Sequence, residues 1–219
     1  MIPIRDHNIR YTTPYITNFI IGMNIVVFLF TMLFSSDLFI YQFALVPAFF
    51  RPETLITSLF LHASFGHIIG NMLFLHVFGD SLEDHFGHFK FLALYLFCGA
   101  IAGLTQMAFS LGSDIPIIGA SGAIAGLMGA YLVLFPRSKI DVLIPFGIYA
   151  SNATVSAPFM LLYWIAAQFF YSLGAIGLAD SGVAYFAHIG GFVVGWLVAK
   201  IVPRKPEIMP DGFWPLRFS

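Results

Sequence analysis

Six apolar runs, at about residues 17–34, 66–79, 89–111, 121–135, 157–178 and 183–202, dominate this chain. In a bilayer such runs have no water to satisfy their backbone polar groups, and a helix satisfies them within the run. Charged residues make up 10% of the sequence, against roughly 25% in a soluble domain. The expectation is an all-α membrane protein, a bundle of six transmembrane helices at 17–202 between short tails at 1–16 and 203–219. The loop at 35–61 carries Pro47, Arg51, Pro52 and many aromatics, and is expected at the membrane surface. A charged link at 80–90 and a further loop at 140–156 complete the chain. No second domain, long repeat or cleavable signal pattern is visible, and the Met1 start with no soluble extension leads us to expect a complete chain. A net charge of −1 gives no case for nucleic-acid binding, and the single cysteine, Cys98, excludes an intrachain disulfide.

Six crossings put both termini on one side. Arg5, Arg10, Lys90, Arg137, Lys139, Lys200, Arg204, Lys205 and Arg217 fall on that side and Arg51 on the other. The positive-inside rule then predicts cytoplasmic termini in an integral, multi-pass protein. The compact form and this charge count point to a bacterial plasma membrane.

With that orientation, His62, His67 and Asn71 enter the second run from outside, Ser121 opens the fourth, and His188 lies in the sixth. Residues 121–135 rise about 22 Å as a helix, against a hydrocarbon core of about 30 Å, which puts Ser121 about 8 Å below the outer boundary. Counting back from Lys200 gives His188 a similar depth. Gly122, Gly126 and Ala130 on the fourth run, and Gly191, Gly195 and Ala199 on the sixth, are each spaced by four. Such faces let helix backbones approach closely. If they face each other, Ser121 and His188 come within reach.

A serine hydroxyl becomes a nucleophile when a base takes its proton. His188 is the ionisable residue inside its run, and an intramembrane ionisable residue is by default a functional hypothesis. Asp114 and Asp180 lie in loops, so the pair reads as a Ser–His dyad without an acidic third member. Acyl transfer also needs donors for the oxyanion. The Ser121 N–H at a helix N-terminus is one, and His67 and Asn71, an i, i+4 pair, are the others. They could instead be an interhelical hydrogen-bond pair. His62 ties down the loop or supports His67. His76 reads as packing and His85 and His88 as solvated surface, while Glu83 and Asp84 anchor the loop or pair with Arg or Lys.

These motifs, His62-x4-His67-x3-Asn71-Met72-Leu73-Phe74-Leu75, Gly119-Ala120-Ser121-Gly122-Ala123-Ile124-Ala125-Gly126 and Ala187-His188-Ile189-Gly190-Gly191-x3-Gly195, occur in that order. Together they resemble the rhomboid family of intramembrane serine proteases, over about residues 47–195. The resemblance implies Ser121 as nucleophile and His188 as base. It implies an oxyanion hole from His67, Asn71 and the Ser121 N–H, with Gly119, Gly122, Gly191 and Gly195 as supporting positions. It also implies single-pass transmembrane protein substrates, no metal or other cofactor, and the fifth span as a lateral gate with Trp164 and Phe159 as gate aromatics. Two departures stand out. Ala125 occupies a position that is aromatic in some members, where the ring stacks on the histidine. Phe50-Arg51 is the nearest echo of a Trp-Arg pair in the first outer loop. A non-catalytic client-binding scaffold of the same fold is the alternative. A metal site from His62, His67 and His188 lacks the usual ligand motifs, and a solute transporter lacks an inverted repeat.

Overall fold

A computed structural model describes residues 1–34, 36–146, 149–175 and 184–203. Its helices are α1 (Tyr15–Phe34), α2 (Asp37–Phe43), α3 (Thr54–Thr57), α4 (Phe65–Phe86), α5 (His88–Phe109), α6 (Ser121–Leu134), α7 (Ala157–Ala175) and α8 (Tyr185–Ile201). By length and composition α1, α5 and α7 can each cross a membrane. The segment Thr54–Phe60 and α4 form a pair bent by 101°, a fourth crossing if taken as one broken span. The 14 residues of α6 and the 17 of α8 rise only about 21 and 26 Å, short of a core of about 30 Å. Thus six long helices are present among the described residues, but three or four meet the length of a full crossing. The expected turn near Asp180 and Ser181 and nearly all of the tail at 203–219 lie outside the described residues.

The all-α expectation needs correction. Strands β1 (Ile2–Asp6), β2 (Lys139–Phe146) and β3 (Tyr149–Ser156) form an antiparallel sheet in the order β1-β2-β3. The loop expected at 140–156 is a β-hairpin, and the tail at 1–16 pairs with it. Ile140 and Val142 point into the core and are fully buried, two apart as a strand requires. On the other face, Asp141 accepts from the Thr154 hydroxyl at 2.7 Å and pairs with His7 at 2.9 Å. These bonds, Thr154 first, hold its carboxyl below the ordinary range.

Nor is 80–90 a link. α4 runs on through Phe86, and Gly87, at φ +78°, makes the turn into α5. Asp80 and Glu83 are therefore on a helix and buried. Such carboxylates are costly unless they are paired and hydrogen-bonded. Glu83 accepts from the Ile16 N–H at 2.8 Å and the Thr17 N–H at 2.7 Å, capping α1 from outside, and from the Thr17 hydroxyl at 2.7 Å. It also meets His88 Nδ1 at 2.5 Å, so His88 is not merely solvated. His76, expected to pack, lies 54% exposed with Nδ1 3.4 Å from Asp80. Arg10 bridges Asp80 at 2.8 Å and Asp6 at 2.6 Å. Asp6 also accepts from Ser81 and from the Tyr131 hydroxyl, at 2.5 and 2.9 Å. Asp84 takes the Tyr11 and Thr12 N–H groups. This end of the bundle is thus tied to the first 17 residues.

At the centre, α6 is buried nearly all round and packs against α8, α5 and α4. The small-residue faces do meet. A Cβ built on Gly195 would lie 1.8 Å from the Gly126 carbonyl oxygen, and one on Gly191 2.1 Å from that of Gly122. α8 is also held to α5: a Cβ at Gly190 would meet Thr105 Oγ1 at 2.3 Å, and the Ala187 N–H donates to Gln106 Oε1 at 3.1 Å.

Gly195→Ala should lower the thermal midpoint of detergent-purified protein, by a loss of about 1–3 kcal/mol, the usual cost of overpacking. Gly22→Ala, where nothing lies within 4 Å of an added Cβ, should leave it unchanged or slightly raised. Equal behaviour of the two would refute the close contact. Glu83→Ala strands the two backbone donors of α1 and should cost about 1–3 kcal/mol for each group left unsatisfied. An unchanged midpoint would mean that water replaces the carboxylate.

Candidate active site

The segment entering α6 is held by the first outer loop. Leu45 and Ile117 exchange backbone hydrogen bonds at 3.1 and 2.8 Å, and the Gly119 N–H donates to the Ser58 carbonyl at 2.9 Å. The loop is itself braced: Arg51 donates to the Gln42 carbonyl, and Thr57 Oγ1 to the Phe43 carbonyl at 2.7 Å. Phe50-Arg51, for all its different spacing, still supplies a loop anchor. Gly119 sits at φ +116°, and a Cβ there would come within 2.7 Å of His67 Nε2 and 3.7 Å of Asn71 Nδ2. Only glycine combines that backbone angle with that proximity.

Ser121 follows two residues on and opens α6, whose N-terminus has no side-chain cap. The first bond from the helix to its cap runs from Ile124 N–H to Ala120 carbonyl at 3.0 Å. The N–H groups of Ser121, Gly122 and Ala123 therefore have no partner within the helix. The Ser121 hydroxyl lies 2.8 Å from Nε2 of His188, which is buried.

α4 supplies the opposite wall. Ser64 caps it, accepting from the His67 N–H at 3.2 Å, and His67 and Asn71 then share its face one turn apart. Asn71 is buried and its Nδ2 donates to His62 Nε2 at 2.9 Å, while the His62 and His67 rings meet edge-on at 5.0 Å. His62 thus supports both residues. His67 and His188, from opposite walls, lie within electrostatic range of each other.

Two contacts escaped the sequence reading. Gln168 of α7 lies with Oε1 2.8 Å from His188 Nδ1, and the Trp164 ring is centred 5.5 Å from the His188 ring. An aromatic neighbour for the histidine therefore comes from α7 rather than from position 125, where Ala125 is fully buried. Phe159, the other expected gate residue, is 56% exposed and stacks on Tyr163 instead. The spacing of Trp164 and Gln168, four apart in an aromatic run, was the available signal. Among the described residues no three His, Cys, Asp or Glu side chains converge as a metal site would need.

The arrangement brings a hydroxyl against an imidazole and sets amide, imidazole and backbone donors beside it. Comparison with known proteins gives the family. Residues 50–205 match the rhomboid domain family. The chain is 35% identical over 153 residues to RHOMBOID-like protein 6, mitochondrial, of Arabidopsis thaliana, covering 70% of this chain and 44% of that one. It is 27% identical over 209 residues to Rhomboid protein 1, mitochondrial, of Saccharomyces cerevisiae, covering 89% and 57%. Against Rhomboid-like protein 11, chloroplastic, of Arabidopsis thaliana it is 29% identical over 181 residues, covering 78% and 59%. The chain spans 44% to 59% of the length of these relatives, and their organellar names do not favour a bacterial plasma membrane. The family match over most of the chain, together with its long apolar helices, makes this an integral membrane protein of the rhomboid family.

Proposed function

We propose that the protein is an intramembrane serine endopeptidase that cleaves transmembrane segments of membrane proteins. The observation that carries this reading is the 2.8 Å approach of Ser121 Oγ to His188 Nε2 at a helix N-terminus with unpaired N–H groups. His188 Nε2 takes the hydroxyl proton as Oγ attacks the scissile carbonyl carbon. The negative oxygen that forms is met by the Ser121 N–H, the Asn71 amide and His67. His188 then gives its proton to the leaving nitrogen, the C–N bond breaks, and an acyl group remains on Oγ. Water, deprotonated by the same imidazole, releases the acid and restores the serine.

The same reading makes α6 and α8 the fourth and sixth crossings of a six-helix bundle. Their shortness leaves Ser121 below the outer surface, where a substrate helix must unwind to reach it. The charge asymmetry supports cytoplasmic termini in a bacterial plasma membrane. Single-pass proteins are the simplest substrates, because a lone helix can approach sideways through the lipid. A non-catalytic client-binding scaffold is the rival, and the intact Ser121–His188 pair weighs against it.

Fluorophosphonate labelling of detergent-purified protein discriminates the two. The wild type should label at Ser121, and Ser121→Ala and His188→Ala should not label while keeping the wild-type thermal midpoint. A folded wild type that never labels, yet binds transmembrane peptides, would establish the scaffold instead. With a cleavable transmembrane peptide in liposomes, Asn71→Ala should slow turnover by about 10²-fold, the loss of one oxyanion donor. An unchanged rate would leave Asn71 as a structural partner of His62.

A further inference from the structure

α7 brings to the site a residue that neither the serine helix nor the histidine helix supplies. Trp164 and Gln168 are one helical turn apart and so share a face, and both reach His188. Met160, Leu161 and Ser172 of the same helix are buried, whereas Phe159, Leu162, Phe169 and Phe170 are exposed. Gln168 is thus a polar side chain on the inner face of an otherwise apolar helix. A polar amide in such surroundings is costly unless it finds a partner, and its partner here is the imidazole.

The bond has a chemical consequence. An amide oxygen only accepts, so the hydrogen between Gln168 Oε1 and His188 Nδ1 must sit on the imidazole. A neutral imidazole has one N–H, and with it at Nδ1 the lone pair is left at Nε2, facing the Ser121 hydroxyl. The other tautomer would point an N–H at Ser121 Oγ and could not take its proton. We infer that Gln168 is a positioning residue that fixes the Nδ1–H tautomer of His188, the neutral counterpart of an acidic third member. The inference rests on the dyad reading for its catalytic meaning, but the hydrogen bond does not.

Because Gln168 rides on α7, the histidine tautomer and the seat of α7 are set together. α7 is the least buried of the three long apolar helices: 22% of an 18-residue apolar stretch of it is buried, against 28% for such a stretch of α1 and 39% for one of α5. Its first turn is pinned, since the Ala157 N–H donates to the Ser138 carbonyl at 2.9 Å. Further along, an apolar cavity of about 520 Å³ lies among α5, α7 and α8, lined by Ile101 and Thr105, by Phe169 and Leu173, and by Ile189 and Val193. Among the other helices α7 as a whole packs chiefly on α8, the helix of His188. Moving it outward breaks the bond and frees the tautomer.

The test uses full-length protein in detergent micelles, labelled with ¹⁵N-histidine, with the His188 signals identified by their loss in His188→Ala. The wild type should show His188 protonated at Nδ1. Gln168→Leu, similar in size but without an acceptor, should shift it toward the Nε2–H form. Fluorophosphonate labelling of Gln168→Leu should slow by about 10- to 100-fold, as when the hydrogen bond orienting a functional imidazole is lost. Gln168→Glu keeps an acceptor oxygen and should restore most of the rate, which a purely packing role would not predict. Wild-type His188 protonated at Nε2 would overturn the inference even if Gln168→Leu failed to fold. So would a Gln168→Leu protein with unchanged tautomer and labelling rate. An Nδ1–H tautomer that depends on Gln168, in a protein that never labels, would uphold the positioning bond and refute the protease reading.

Discussion

Everything in the site depends on the backbone-to-backbone seam between α6 and α8. Lipid tails are as apolar as leucine, so no hydrophobic drive pulls two helices together in a bilayer. What remains is dispersion between atoms in close contact, which falls steeply with a small radial gap. Gly126 against Gly195, and Gly122 against Gly191, allow an approach that any side chain would block. Ser121 is one residue before the first of these glycines and His188 three before the third along its own helix. The spacing of the two helices therefore becomes the spacing of hydroxyl and imidazole.

The two ends of the bundle treat polar groups in opposite ways. At the sheet end, buried carboxylates are surrounded by donors. Glu83 alone takes two backbone N–H groups, a hydroxyl and an imidazole. A buried ion that keeps its partners costs little relative to one that loses them, so Glu83 is saturated, whereas Asp80 holds Arg10 through Oδ2 and leaves its Oδ1 without a hydrogen-bond partner among the described residues. At the site end, the first-turn N–H groups of α6 are left without helix partners, and half-buried Ser121 and His67 line the space beside them. Saturation braces the bundle; unsatisfied donors are what a developing oxyanion can use.

Much of the site was legible because it is written at helical spacing. Gly122 and Gly126, Gly191 and Gly195, and His67 and Asn71 are each four apart, and helices convert that spacing into faces. What escaped notice was set by distant partners. Asp80, Glu83 and Asp84 read as part of a charged link because their partners lie some seventy positions earlier, from Arg10 to Thr17. The sheet was missed although Ile140 and Val142 alternate with Lys139 and Asp141, a period-two signal obscured by Pro145 and by a partner strand at the far N-terminus. His62 lay correctly outside the helix, but its bond runs to Asn71, nine residues on. The six-crossing reading came from counting apolar runs, and apolarity alone does not report that α6 has 14 residues.

An amide suits the place of Gln168 for the same reason that a carboxylate suits that of Glu83. Glu83 meets several donors that stay in place whatever the protonation of nearby groups. Gln168 faces a single imidazole, the one that lies 2.8 Å from the Ser121 hydroxyl. A carboxylate there would accept the same Nδ1–H, but at the added cost of drawing a charge partly out of water against one neutral partner. An amide oxygen accepts that Nδ1–H without the cost. The structure thus sets a full charge where the polypeptide supplies several donors, as at Glu83, and a neutral dipole against the lone imidazole.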